Sequence, residues 1–320
     1  MHYQAPLWLK GGHAQTVWPA LFIHLPRPPY RREVWSTPDG GEIAVDCIDG
    51  DGGAPLVVLF HGLEGDSDSH YAKALMLEVQ ARGWHGAVPH FRGCGGISNT
   101  LRRAYHAGDS AEIGWILQRL AESHAVVLTA GVSIGGNMLL KYLGEHGRRA
   151  LPLAAAAISV PVDLAAASAQ LDHGLGKVIY TRMFMATLKP KAREQLALHP
   201  GLFDAYKLDR AKTFREFDNL VTAPIHGYRD AFDYWDRASS KPFLSRIETP
   251  TLVLNAKNDP FLPPSALPLP QDTSRWVTLE QPEEGGHVGF PTGRFPGQLD
   301  WLPKRLLAYF DQQLAAGPTP

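Results

Sequence analysis

Cysteine is nearly missing from this chain: Cys47 and Cys94 are the two in 320 residues. Two thiols make neither a disulfide framework nor, by themselves, a zinc site, and so low a count suits a reducing compartment. Excess charge is missing too. Lys plus Arg number 31 and Asp plus Glu 32, a net charge of −1, which leaves no overall electrostatic footprint for nucleic acid or an acidic membrane. Long apolar runs are also lacking. The nearest is the Ala-rich stretch 151–171, which Pro152, Pro161 and Asp163 interrupt. A charge at mid-helix costs roughly 3 kcal/mol on insertion scales, so a buried strand followed by a loop is the better reading. The apolar residues 18–25 have Arg27, Arg31 and Arg32 behind them, whereas a signal peptide carries its basic residues in front. There is no internal repeat, low-complexity tract or long run of one charge. What is present is an ordinary globular composition, 44% hydrophobic and 20% charged, with ample apolar surface for a core. The expectation is a soluble, cytoplasmic protein.

Short apolar runs alternate with helical patterns along most of the chain. Residues 56–60 (Leu-Val-Val-Leu-Phe) read as a strand buried on both faces, closed by His61-Gly62. Asp68 or Ser69 offers an N-cap for a helix to about Gln80, and residues 84–91 read as the next strand. Ile113, Ile116, Leu117 and Leu120 share one stripe of a helix over 109–120. Strands are expected at 125–129, 153–160, 251–255 and 275–280, with helices at 136–143 and from near Pro303. Such alternation predicts an α/β fold, a mostly parallel sheet covered by helices on both faces. Residues 163–240 break the rhythm. Aromatic and charged residues recur there at helical spacing without a buried strand, which suggests a helical cap inserted between core strands of a single domain spanning 1–320. Ligands of α/β folds sit at the C-terminal sheet edge that such a cap would cover.

The most informative segment is Gly131-Val132-Ser133-Ile134-Gly135. It is a G-x-S-x-G pattern placed after a strand and before a helix. A sharp strand-to-helix turn forces its serine into a strained conformation, and glycines two positions to either side avoid collision. The turn lifts the serine Oγ above the sheet edge and aims the Ile134 amide, at the helix N-terminus, toward a developing oxyanion. A tight structural turn is the plainer reading of the pattern taken alone. Partners in the order Ser, acid, His decide against it. Asp259 stands in the loop after the strand at 251–255, and His287 is the one histidine downstream of it. Leu63, in the loop His61-Gly62-Leu63-Glu64-Gly65, is the expected second amide donor. His61 is read as ordering its own loop, although a general base or metal ligand is also conceivable at that place. The spacing His61-x-x-x-x-Asp66, found in acyltransferases, is treated as coincidental. Cys94 reads as a small buried residue in a Gly-rich turn, and Asp66, Asp68 and His70 as the approach to a helix rather than a metal site. Among the cap aromatics, Tyr228, Phe232, Tyr234 and Trp235 either line an acyl pocket or pack the cap. Phe232 and Trp235 are assigned to the pocket.

These segments together resemble the YheT-like branch of the α/β-hydrolase superfamily, which also holds plant embryogenesis-associated hydrolases and mammalian membrane-anchored phospholipase-like proteins. The resemblance covers nearly the whole chain. It rests on Gly11-Gly12-His13-Ala14-Gln15-Thr16, the His61-Gly62-Leu63-Glu64-Gly65 loop and Phe91-Arg92-Gly93-Cys94-Gly95-Gly96. It continues through Gly131-Val132-Ser133-Ile134-Gly135-Gly136-Asn137, Asn258-Asp259-Pro260 and Gly285-Gly286-His287-Val288-Gly289-Phe290. It implies an α/β-hydrolase fold and carboxylic-ester hydrolysis, with Ser133 as nucleophile, Asp259 as acid and His287 as base. Short-chain esters or acylglycerols are the implied substrates. An N-terminal membrane anchor like that of the mammalian members is not seen, which weakens the transfer of a phospholipid substrate. The expectation is therefore a serine esterase needing no metal or organic cofactor, with a small ester or lipid as its partner and no nucleic acid. Acyl transfer on the same residues and a catalytically idle binding protein are the competing readings.

Overall fold

A computed structural model describes residues 2–317. Eight strands form one sheet: β1 (Arg31–Ser36), β2 (Glu42–Ile48), β3 (Leu56–Phe60), β4 (His85–Pro89), β5 (Val127–Val132), β6 (Ala154–Ile158), β7 (Thr251–Leu254) and β8 (Val277–Glu280). Their order is β1-β2-β4-β3-β5-β6-β7-β8. The pairs β1–β2 and β2–β4 are antiparallel, and every pairing from β4 to β8 is parallel. Twelve α-helical segments accompany it: α1 (Gly12–Phe22), α2 (His70–Ala81), α3 (Ser110–Ala121), α4 (Ile134–His146), α5 (Leu164–Leu171), α6 (Gly174–Gly176), α7 (Arg182–Leu198), α8 (Ala205–Arg210), α9 (Phe214–Phe217), α10 (Ala223–Ile225), α11 (Ala231–Ala238) and α12 (Trp301–Ala316).

Strand β3 shows how the sequence builds the layers. All five of its residues are buried. Leu56, Val58 and Phe60 pack on one face with Ile113, Ile116 and Leu117 of α3 and Met138, Leu139 and Leu143 of α4. Val57 and Leu59 pack on the other with Met76 and Val79 of α2 and Leu306 and Phe310 of α12. Each fully buried side chain of this size contributes roughly 2 kcal/mol, so a continuous apolar run commits its segment to the middle of a two-faced sheet. Sequence patterning also locates β4 to β8. The strand expected at 125–129 runs instead over Val127–Val132, because the Ser133 turn, not the apolar run, ends it.

Three elements were not visible in the sequence. Strands β1 and β2 sit at the antiparallel edge, where β1 leaves Arg31, Arg32 and Val34 in or near solvent. Strand β2 carries Asp46 fully inside. That carboxylate survives burial because the Arg32 guanidinium donates to both its oxygens, each at 2.7 Å, and the Ser67 hydroxyl donates as well. Helix α1 spans residues in which Gly12 and Pro19 argue against a helix.

Between β6 and β7 the described chain contains helical turns only, α5 to α11. Two of the turns are π-helical, Lys177–Thr181 and Asp218–Thr222. Asp163, Asp204 and Asp230 cap α5, α8 and α11, each accepting a backbone N–H three residues on. Among the described residues no helix is long and apolar enough to cross a membrane.

Candidate active site

At the C-terminal edge of the sheet β5 ends in Ser133, whose φ of 53° and ψ of −121° are forbidden ground for most L-residues. Helix α4 starts at the next residue, Ile134. Glycine is required on both sides for a steric reason. A Cβ on Gly135 would lie 2.4 Å from the His61 carbonyl oxygen and 2.5 Å from that of Phe60, and one on Gly131 would lie 2.7 Å from Gly136 Cα. The Ser133 N–H donates to the Ile158 carbonyl at 2.9 Å, which ties the turn to the end of β6.

The loop after β3 runs beside this serine. A Cβ on Gly62 would touch Ser133 Cβ at 3.4 Å. The amides flanking Leu63 are committed to tyrosine hydroxyls, Gly62 N–H to Tyr71 at 2.9 Å and Glu64 N–H to Tyr105 at 3.0 Å. None of the described hydrogen bonds uses the amide of Leu63. His61 holds the loop from beneath: its Nδ1–H donates to the Gly62 carbonyl at 2.7 Å and its Nε2 accepts the Phe91 N–H at 3.0 Å. Complete burial pushes its pKa down to about 3, so the ring is neutral and one tautomer satisfies both bonds. That is the loop-ordering role read from the sequence.

Asp259 and His287 meet at the same edge. The His287 Nδ1–H lies 2.9 Å from Asp259 Oδ2 and 3.2 Å from Oδ1, and both side chains are buried. Asp259 Oδ1 also accepts the Phe261 N–H at 2.8 Å. The Phe261 ring stacks on the imidazole, with centroids 3.8 Å apart and planes 10° from parallel. The Val288 N–H donates to Ser159 Oγ at 2.9 Å, and Ser159 follows directly on β6. Ser133 thus follows β5, Asp259 β7 and His287 β8, all at the C-terminal edge of one sheet, with β6 between the serine and the other two.

Helix α1 turned out to belong to this edge. Gln15 Oε1 accepts the Gly285 N–H and an Asn258 Nδ2–H, both at 2.9 Å, while Gln15 Nε2 donates to the Leu9 carbonyl at 2.9 Å. The Thr16 hydroxyl accepts the His287 N–H at 2.8 Å and donates to the Gly12 carbonyl at 2.7 Å. One side chain therefore ties the Asp259 loop to the His287 loop, and its neighbour holds the histidine backbone. The segment Gly11 to Thr16 is visible in the sequence as a motif; its contacts, some 270 residues away in the chain, are not.

A cavity of about 370 Å³ opens over Ser133, bordered by Leu63, Ile134 and Phe261 below and by Leu171, Phe184, Leu188 and Trp235 of the helical segment above. Three of its titratable neighbours are held uncharged or paired. Burial lowers His106 and His226 to about 3, and Lys191 pairs with Glu64 at 2.8 Å. Asp218 accepts from Trp235 Nε1 at 2.8 Å and Thr222 Oγ1 at 2.6 Å, and burial raises it to about 6. Trp235 borders the cavity. Phe232 does not: it is 58% exposed and faces a second, more open depression beside Asp163 and Lys241, which Trp235 also borders. On α11 the inward face is Ala231, Tyr234, Trp235 and Ala238, and Phe232 falls on its solvent-facing flank, its ring 5.4 Å from that of Trp235. Cys94 is buried, and desolvation raises its thiol to about 11, so it is not a thiolate at neutral pH.

A family model described as the alpha/beta hydrolase fold matches residues 55–293. The Escherichia coli (strain K12) protein named "Putative esterase YheT" is 38% identical over 95% of this chain and 91% of its own. A Mus musculus phospholipase, ABHD3, is 30% identical over 94% of this chain and 76% of its own. Among solved structures, an esterase from Pyrococcus furiosus superposes with a TM-score of 0.56 at 14% identity, covering 91% of this chain and 92% of that one. That last likeness concerns the fold.

Proposed function

Because the chain belongs to the α/β-hydrolase fold family, we propose that it is a serine hydrolase that cleaves carboxylic esters through an acyl-enzyme on Ser133, His287 and Asp259. The observation that carries this is Ser133, in its positive-φ turn, opening on the apolar-walled cavity at the sheet edge that also holds the His287–Asp259 pair. His287 Nε2 takes the Ser133 proton as Oγ bonds to the ester carbonyl carbon. The carbonyl oxygen becomes an oxyanion, and the amides of Leu63 and Ile134 donate to it. The intermediate collapses with loss of the alkoxide, which leaves as the alcohol with the proton from His287. Water then gives a proton to His287 and attacks the acyl carbon, releasing the carboxylic acid and restoring Ser133. Asp259 keeps the Nδ1 proton in place and stabilises the imidazolium formed in both halves.

The helices between β6 and β7 act in this reading as the cap, walling the cavity and receiving the acyl chain. A phospholipase among the relatives supports ester lipids as substrates. Fluorophosphonate labelling with mapping of the adduct tests the assignment. The label is expected on Ser133, and Ser133→Ala should fold normally while losing on the order of a million-fold in kcat. A variant that keeps a tenth of the activity, or a label on another serine, overturns it.

A further inference from the structure

The near-zero net charge of the chain hides a local excess. From Gly174 to Arg193 there is no Asp or Glu, against five Lys and Arg: Lys177, Arg182, Lys189, Lys191 and Arg193. Lys191 and Arg193 are neutralised by Glu64 and Asp209. Lys177, Arg182 and Lys189 are in no ion pair among the described residues. The nearest acid before the segment, Asp172, is turned to the backbone amides of Phe214 and Arg215.

The same segment runs without a break from α6 through the π-turn Lys177–Thr181 into α7. Its inward side is what an amphipathic helix should bury: Tyr180, Thr181 and Met185 are inside, and Phe184 and Leu188 border the cavity over Ser133. Its outward side is apolar where a solvent face should be polar. Leu175 is 62% exposed, Val178 64%, Ile179 37% and Met183 53%. Spacings of three, four and eight residues line these up on one stripe, with the exposed Arg182 among them and the half-buried Lys177 on the flank toward Asp172 and Glu216. Singly exposed apolar residues are ordinary on protein surfaces, whereas a contiguous stripe of them marks a docking face.

We propose that this stripe is a docking surface for an anionic lipid bilayer, laying the cap helix on the membrane with the cavity directly behind it. The apolar side chains enter the boundary between headgroups and acyl chains while the unpaired cations meet the lipid phosphates. A second copy of this chain fits less well, since a two-fold contact through the stripe would bring Lys177 and Arg182 against their own equivalents. In its purpose the proposal rests on and deepens the ester-hydrolase reading by naming bilayer lipid as a source of substrate, while the stripe and its cations stand apart from that reading.

Flotation of the full chain with vesicles tests it, read on the Ser133→Ala protein so that binding is independent of hydrolysis. Vesicles of phosphatidylcholine mixed with phosphatidylglycerol should carry the protein up, phosphatidylcholine alone much less, and added salt should weaken binding to the mixed vesicles. The exposed double variant Val178→Asp with Met183→Asp should lower partition into mixed vesicles by about tenfold or more. In the otherwise native protein the same pair should leave the melting temperature and hydrolysis of a water-soluble acetate ester unchanged. Lys177→Glu with Arg182→Glu should abolish the preference for the anionic vesicles. The proposal is overturned if the wild-type surface does not float with mixed vesicles, if the aspartate pair floats equally well, or if sedimentation shows a dimer that the aspartate pair dissociates.

Discussion

Single residues at this sheet edge are constrained in two different ways. Ser133 and its glycines are constrained by backbone sterics, which is why they are legible in a bare sequence: Gly135 is glycine because the Phe60 and His61 carbonyls leave no room for a Cβ. Asp218 is constrained by its surroundings, and nothing in its neighbours announces that a carboxyl there is enclosed. Burial raises its pKa to about 6 with only the Trp235 and Thr222 donors to oppose it. The native state then holds the Asp218 proton more tightly than the unfolded chain does. Stability from this group is complete below the unfolded value near 4 and is lost as pH rises through about 6. Asp218→Asn removes the titration while keeping an acceptor for Trp235. Between about pH 4 and pH 7 the wild-type unfolding free energy should therefore fall relative to that of the variant by on the order of 2 kcal/mol. Urea unfolding of both proteins across this range checks it; a difference independent of pH would mean that the carboxyl is not protonated in the native state.

Among elements, those buried on two faces announce themselves and those made by long-range contact do not. Strand β3 is a run of five apolar residues and was readable. Strand β2 holds Asp46, which is tolerable because Arg32 on β1 and the Ser67 hydroxyl reach it, so its burial cannot be deduced from its own composition. Helix α1 is a similar case, since its worth lies in Gln15 and Thr16 touching loops near residues 258 and 285–287. From those contacts Gln15→Ala should loosen the Asp259 and His287 loops together. Misplacing a base by an ångström costs up to about a hundredfold, so kcat should fall by roughly ten- to a hundredfold with KM little changed. Thr16→Ser, which keeps the hydroxyl under the His287 amide, should stay near wild type, whereas Thr16→Ala should fall with Gln15→Ala. Equal loss of kcat in Thr16→Ser and Thr16→Ala would show that the methyl group's packing, not the hydrogen bond, matters.

For the whole molecule the question is how a helical segment inserted in a sheet protein comes to choose substrates. Helical spacing in the sequence shows that 163–240 has an apolar side. It does not show which side faces the sheet, because on α11 both Phe232 and Trp235 satisfy the periodicity; only packing puts Trp235 inward and Phe232 out. If the segment sets acyl-chain preference, the change must come from residues that border the cavity without holding it up. Leu188 fits that description: it is half-buried on α7 and lines the cavity. Trp235 does not, since truncating it would also strip a donor from Asp218. Leu188→Phe narrows the cavity and should lower kcat/KM for an octanoate ester relative to acetate by a factor corresponding to about 1–3 kcal/mol, the usual discrimination available to an apolar pocket. Phe232→Ala serves as the control and should leave the octanoate-to-acetate ratio where it is. Measuring both ratios with the melting temperatures separates shape from stability. If Leu188→Phe lowers the melting temperature but leaves the ratio unchanged, the cap helices only roof the site, and selection among acyl chains must lie in the loops of the sheet edge itself.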